Sequence, residues 1–416
     1  MNVPIEHRPV ILSVFVLTYA GVAIGRIPGL KLNRVGIAVL GAIAMMIFSG
    51  MSAGETASSV NWPTIFLLFG FFVISAQLRL SGVYDRIAGG LSGRMDAPAR
   101  FLLILIAASA GLSAVLNHDI VCYVLTPVAG AALLRKQVNP VPFLIALAAA
   151  SNIGAAATLI GNPQDMMIGA VARLSFLRYL LWSIVPVAFG LGAAYAIASY
   201  GASAGPPIID KAEVEPEPPT YPFNRPHAIK GLVILAVVIG LFFTSLPKEI
   251  VVLVAAGVHL ASPKFRTEEM LSLIDWPILV LFMCLFVVSG TFQATGYGEH
   301  LLRWLVGIGF NPARPGNETV LTAGLSAVIG NAPAVLVLIK IVPITQASIA
   351  YIMAVANSFA GNLILTASVS NIIVVHQARR QGIDISFRDF FKLGVPIALV
   401  SLGGLVGWAL VMGPGT

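Results

Sequence analysis

GLSAVLNHDIVCYVLTP, residues 111–127, is followed 213 positions later by GLSAVIGNAPAVLVLIK, residues 324–340. Each copy runs apolar, breaks at a polar cluster around an asparagine (Asn117, Asn331), and runs apolar again. Two further pairs keep nearly the same separation. NWPTIFLLFGFFVIS (61–75) matches DWPILVLFMCLFVVS (275–289) at an offset of 214, and SNIGAAATLIGNPQDMMIG (151–169) matches NSFAGNLILTASVSNIIVV (357–375) at 206. Three segments in one order at one spacing mark an internal repeat, with halves at 1–200 and 229–416.

The solvent of those halves follows from composition. Hydrophobic residues make up 57% of the chain and charged residues only 10%, with a mean hydropathy of +0.91. Several apolar runs approach the ~20 residues that a spanning helix needs. Spans are expected near 10–26, 35–50, 61–78, 141–171 and 180–200, then near 229–245, 249–262, 276–292, 348–375 and 393–412. The first lacks the basic lead and small-residue cleavage site of a removable signal. Segments 99–134 and 318–345 each hold two apolar helices and are expected to be re-entrant hairpins. Five crossings per half is an odd number, so the expected fold is an all-α polytopic membrane protein of two inverted-topology repeats, each with five transmembrane helices, one re-entrant hairpin and one broken helix.

Charge placement fits that plan. Of 25 Lys and Arg, 18 fall on one face, which the positive-inside rule makes cytoplasmic and which puts both termini outside. The net charge of +7 is thus spread over span ends and offers no patch for nucleic acid. Residues 201–228, with seven prolines up to His227, are expected to be a flexible cytoplasmic linker. Its Gly-Ala-Ser-Ala-Gly at 201–205 lacks the strand, turn and partnered histidine of a hydrolase elbow. Neither this nor any metal-binding pattern points to an enzyme, and Cys122 and Cys284 are too far apart in sequence for metal-ligand spacing.

A broken helix in lipid leaves backbone N–H and C=O groups that something must satisfy, so the chemistry is expected at the breaks. In the first hairpin these residues are Asn117, His118 and Asp119. In the first broken helix they are Asn152, Thr158, Asn162 and Asp165, threaded with Gly154, Gly161 and Pro163. In the second half the equivalents are Asn331 with Pro333, and Asn357, Ser358, Asn362, Thr366, Ser368, Ser370 and Asn371, of which Asn331, Asn362, Thr366, Ser368 and Asn371 are taken as solute-binding. Carboxylates inside a membrane face a cavity or carry a proton. Asp119 and Asp165 are taken as the only two in the broken segments, and the second half as uncharged there. That asymmetry suits coupling a proton to a neutral or weakly acidic solute, with His118 as a possible shuttle. Cys122, Gly21 and Gly25 are expected to serve packing, and His259, Asp275 and His376 to lie at membrane interfaces.

At Asn-His-Asp with Val-Leu-Thr-Pro (117–119, 124–127), Ser-Asn-Ile-Gly (151–154), Gly-Asn-Pro-Gln-Asp (161–165), Gly-Asn-Ala-Pro (330–333) and Gly-Asn-Leu (361–363) with Asn371, the chain resembles the ion transporter superfamily. That group includes arsenite/antimonite efflux permeases, plant silicic-acid efflux transporters, related sodium/proton antiporters and, further off, divalent-anion/sodium symporters. The resemblance implies scaffold and transport domains moving by an elevator-like step, usually in a homodimer. It also implies a pocket lined by Asn117, Asp119, Asn152, Asn162, Asn331 and Asn362. Asp165 and His118 stand where the arsenite-like pattern usually has asparagine, and the symporters' Ser-Asn-Thr hairpin signature is absent. The expectation is proton-coupled efflux of a small inorganic hydroxy acid or oxyanion, such as arsenite, antimonite or silicic acid, across an inner membrane, with no cofactor. Sodium is the alternative coupling ion; sodium/proton antiport and anion or dicarboxylate transport are the alternative activities. A soluble ATPase partner stays open.

Overall fold

The structure is a computed structural model that describes residues 5–25, 31–92, 97–201, 221–262, 264–342, 344 and 346–413. Its regular elements are all helices. A first series comprises α1 (Arg8–Ile24), α2 (Arg34–Ser49), α3 (Ala53–Ser59), α4 (Trp62–Leu80), α5 (Val83–Ser92), α6 (Pro98–Ser113), α7 (His118–Arg135), α8 (Val141–Ala155), α9 (Pro163–Val171) and α10 (Phe176–Gly201). A second follows as α11 (Arg225–Leu241), α12 (Lys248–Leu260), α13 (Thr267–Ser272), α14 (Trp276–Ala294), α15 (Tyr297–Gly307), α16 (Pro315–Ile329), α17 (Asn331–Ile341), α18 (Ala347–Ala360), α19 (Val369–Arg379) and α20 (Phe387–Met412).

Each helix of the first series has a counterpart ten elements on. Both α4 and α14 have 19 residues, and both start by the same device. The side chains of Asn61 and Asp275 accept from the backbone N–H of Thr64 and Ile278, with Pro in the first turn, where no N–H is missed. Packing is exchanged between the series, α2 on α14 as α12 on α4 and α7 on α19 as α9 on α17, and repeated within each, α6 on α8 as α16 on α18.

Four helices, α4, α10, α14 and α20, are long and apolar enough to cross a bilayer alone. Their exposed sides carry large apolar residues, such as Leu181 on α10 and Leu399 on α20, 64% and 58% exposed. In water such faces would be costly; in lipid they are solvated. At the centre, α8 and α18 are buried on every side over Pro142–Ala155 and Ser348–Ala360.

Two expectations change. Helix α11 starts at Arg225, not near 229, and the chain before it is docked, since the N–H of Asn224 donates to the Ser81 carbonyl (2.9 Å) and that of Tyr221 to Asp85 (3.2 Å). Gly82, with φ of 73°, makes that docking possible, because a side chain there would strike the backbone at Tyr221 and Phe223. The first hairpin has a long second arm: α7 spans 18 residues around Pro127, about 27 Å at 1.5 Å per residue. His259, in the last turn of α12, is fully buried against its neighbours. Residues 202–220, which hold most of the proline-rich segment and its Gly-Ala-Ser-Ala-Gly, lie outside the described residues, as do Arg26, Arg94 and Lys211.

Candidate transport site

The two hairpin tips and the two helix breaks converge. Helix α7 begins at His118 with Asn117 as its cap, whose Oδ1 accepts from the Asp119 N–H at 2.9 Å. Helix α9 begins at Pro163 with Asn162 as its cap, whose Oδ1 accepts from the Asp165 N–H at 2.7 Å. Helix α17 begins at Asn331 behind Gly330 (φ 88°), and α19 at Val369 behind Ser368. All four of these N-termini line one cavity of about 90 Å³. Its wall includes His118 and Asp119 from α7, Gln164 from α9, Asn331 from α17 and Ser368 before α19. The opposite wall is Val22 of α1, Arg34 of α2 and Ile278, Leu281 and Phe282 of α14. Each helix start carries a partial positive charge of roughly half a unit, so four sum to about two. Such a site favours oxygen atoms with negative character.

Beside the cavity, the breaks bind each other through side chains. Asn152 on α8 donates to Asn362 Oδ1 (2.8 Å) and Asn371 Oδ1 (3.0 Å), and its own Oδ1 accepts from Ser368 Oγ (2.8 Å). The first break repeats this in reverse, against α18: Asn162 donates to Ser358 Oγ (2.9 Å) and Asp165 Oδ2 (2.7 Å), and Ser358 Oγ lies 3.5 Å from the same carboxylate oxygen. The exchange is reciprocal because Asn162 and Ser368, Asn152 and Ser358, and Asp165 and Asn371 are each 206 positions apart. Thr158 closes the first break onto the hairpin tip by donating to the Ala114 carbonyl.

Asp119 is the only carboxylate among the described cavity-lining residues. Ser370 Oγ donates to its Oδ1 at 2.6 Å, and His118 Nε2 stands 3.6 Å from the same oxygen. Three buried polar atoms nearby have no partner among the described residues: His118 Nδ1, Asn331 Oδ1 and Asn362 Nδ2.

The candidates therefore separate. His118, Asp119, Asn331 and Ser368 line the cavity. Asn152, Asn162, Asp165, Asn362 and Asn371 are buried in the cross-linked network. Asn117 lines a narrower void with Phe71, Phe72 and Asn162. Thr366 is corrected: it is exposed on the 3-10 turn Leu365–Ala367 and lines neither space. The equivalence of Asn117 with Asn331 is corrected too, since each starts or precedes its helix differently. Asn117 is a cap like Gly330, and it is His118 that shares with Asn331 the first helical position. Gly154 does not break α8; it lies inside the helix, where a side chain would strike Ala110.

Two residues were missed. Glu318, at the edge of the second hairpin, is fully buried in α16, with Thr322 donating to Oε1 at 2.9 Å and no partner for Oε2. The second half is therefore not free of carboxylates in its hairpin. Arg34 lines the cavity, although as a basic residue at a span end it carries the same sequence signature as a topology signal.

Interrupted helices meeting at a polar cavity inside an apolar helical body define a secondary transporter. The sequence profile of the family described as CitMHS, citrate transporter, matches residues 19–360, and the chain belongs to that family, within the ion transporter superfamily. An uncharacterized transporter of Mycobacterium tuberculosis is 28% identical over 94% of this chain and 95% of its own length. The silicon efflux transporter LSI3 of Oryza sativa is 31% identical, over 40% of this chain and 34% of its own length. Among solved structures, the Alcanivorax borkumensis YdaH transporter, described as having an unusual topology, shares the fold at a TM-score of 0.60, with 14% identity over 98% of this chain and 97% of its own.

Proposed function

We propose that this transporter carries a small, oxygen-rich inorganic solute, a hydroxy acid or oxyanion of the size of arsenite, antimonite or silicic acid, and couples its efflux to protons. The observation that carries this reading is the meeting of four helix N-termini at a small cavity of about 90 Å³. A site of that size, with the polar groups of His118, Asp119, Gln164, Asn331 and Ser368 set in an otherwise largely apolar wall, suits several oxygens on one small centre. The silicon efflux transporter among the relatives lends the same solute class support.

Asp119 is the proposed proton carrier, because it is the cavity's carboxylate and has only a serine and a histidine as polar partners. Asp165, held inside the network by Asn162 and Ser358, has the secondary role. In the proposed cycle the hairpins and broken helices move as one elevator-like body against α1, α2, α4 and their counterparts, in an inner-membrane homodimer with both termini outside. A second reading, carriage of a larger organic anion such as a carboxylate, is favoured by one observation: an arginine, Arg34, lines the same cavity.

The test is flux in proteoliposomes under opposite pH gradients, with arsenite, silicic acid, sulfate and succinate as solutes and with sodium present or absent. The proposal expects arsenite or silicic acid to move against a proton gradient without sodium. Accumulation of succinate only with sodium would overturn it.

A further inference from the structure

Arg34 opens α2 and is the only lysine or arginine among the described residues that line the cavity. It makes no hydrogen bond or ion pair with any described residue, and Asp119, on the same cavity, is not within ion-pair distance. Its side chain is half-buried and lies across Gly25, the left-handed cap of α1, where an added Cβ would come within 3.2 Å of the arginine Nε. Gly25 thus leaves the space that the side chain uses. A guanidinium has five donors in a planar fork, well matched to two oxygens of one anion. At a membrane span end it ordinarily pairs or reaches for water.

A second observation points to a ligand at the same place. His118, 7% exposed, lines the cavity with Nδ1 unpartnered among the described residues, and Asn331 Oδ1 on the neighbouring helix start is likewise buried without a described partner. A donor and an acceptor left open along the helix-N-terminus wall, across the space from Arg34, are costly unless something fills it.

We propose that Arg34 is the charge-selecting residue of this cavity, holding an anionic oxygen of the solute from the α1–α2–α14 wall while the four helix N-termini hold the solute from the other. This rests on the cavity being the solute site. It narrows that reading from hydroxy acids and oxyanions of this size to the anionic ones, so the uncharged silicic acid serves as the control. It also makes the hold specific to one state, because Arg34 and the helix N-termini belong to opposite walls and share a solute only while those walls face each other. The bland alternative is that Arg34 merely sits at the C-terminal, negative end of α1, which would change stability and leave anion binding untouched.

The test uses detergent-purified full-length protein, wild type and the variants Arg34→Gln and Arg34→Lys. Thermal unfolding is followed while arsenate or citrate is titrated as charged probe and silicic acid as uncharged probe. Wild type is expected to be stabilised by at least one anion. Arg34→Gln should raise the half-stabilising anion concentration at least about tenfold, from loss of a charge-assisted bidentate contact, and leave any silicic acid response within about twofold. Arg34→Lys, which keeps the charge and loses the fork, should fall between, and serves alone if the glutamine variant does not fold. No anion response in wild type, an equal anion response in the variants, or an equal loss for silicic acid would each overturn the proposal. Failure of the solute assignment would show separately, as a flux panel with no arsenite or silicic acid transport, while the anion titration still reads Arg34.

Discussion

Asn152 directs both amide hydrogens and its carbonyl oxygen at partners on the other broken helix, whereas Asn331, at the second hairpin tip, leaves its buried Oδ1 without any partner and faces the cavity. The same side chain is therefore used in two ways within one polar centre. The Asn152 side chain itself has its valences filled by the protein, which holds the crossing of α8 with the second break shut, while Asn362 Nδ2 and Asp165 Oδ1 in the same network have no partner among the described residues. Around Asn331, His118 and Asp119 some valences are left for something else. In an apolar medium the distinction has consequences, because a filled network fixes geometry and an open one binds.

That difference is broken most severely at Asn152. Asn152→Ala orphans Asn362 Oδ1, Asn371 Oδ1 and the Ser368 hydroxyl at once, each worth about 1–3 kcal/mol when buried, so a loss on the order of 3 kcal/mol or more is expected in thermal unfolding, together with transport. Asn331→Ala removes a cavity group and no internal bond. Its flux should fall at least about tenfold with the unfolding midpoint within about 2 °C, the pattern of a lost solute contact of one hydrogen bond's strength. If Asn331→Ala unfolds as readily as Asn152→Ala, the two regions are not different in kind.

Asp165→Asn should be milder than either, within about threefold in flux, because an amide keeps an oxygen for Asn162 and Ser358 and Asn371 already occupies the corresponding place in the other half. Smallest of all is Thr366→Ala, expected within about 0.5 kcal/mol and with unchanged flux, as for a surface position.

Much of this centre could be read from residues alone. Asn162-Pro163 and the tip at Asn117 to Asp119 announce themselves because polar and helix-ending residues stand in otherwise apolar runs, and the breaks fall where those residues are. The division between filled and open groups could not be read, since it depends on α8 meeting a segment 210 to 219 positions away, and the sequence marks Ser358 and Ser370 as polar without showing which partner each one takes. Asn117 and Asn331 look equivalent as letters, yet one caps a helix and the other begins it. Arg34 and Glu318 were hidden by position. A charge at the end of an apolar run normally faces water, and only packing shows that Glu318 is buried and that Arg34 turns to a cavity.

The account's central claim is that Asp119 joins proton movement to solute movement at the open cavity. The direct measurement compares wild type with Asp119→Asn in proteoliposomes, in two modes: net solute flux driven by an imposed pH gradient, and counterflow exchange of labelled for unlabelled solute with no gradient. Exchange needs the binding site but no net proton transfer. The account predicts that Asp119→Asn loses the response to the pH gradient and retains part of the exchange, while Asp165→Asn remains driven. Full driving of Asp119→Asn by the pH gradient, with Asp165→Asn inactive, would contradict it.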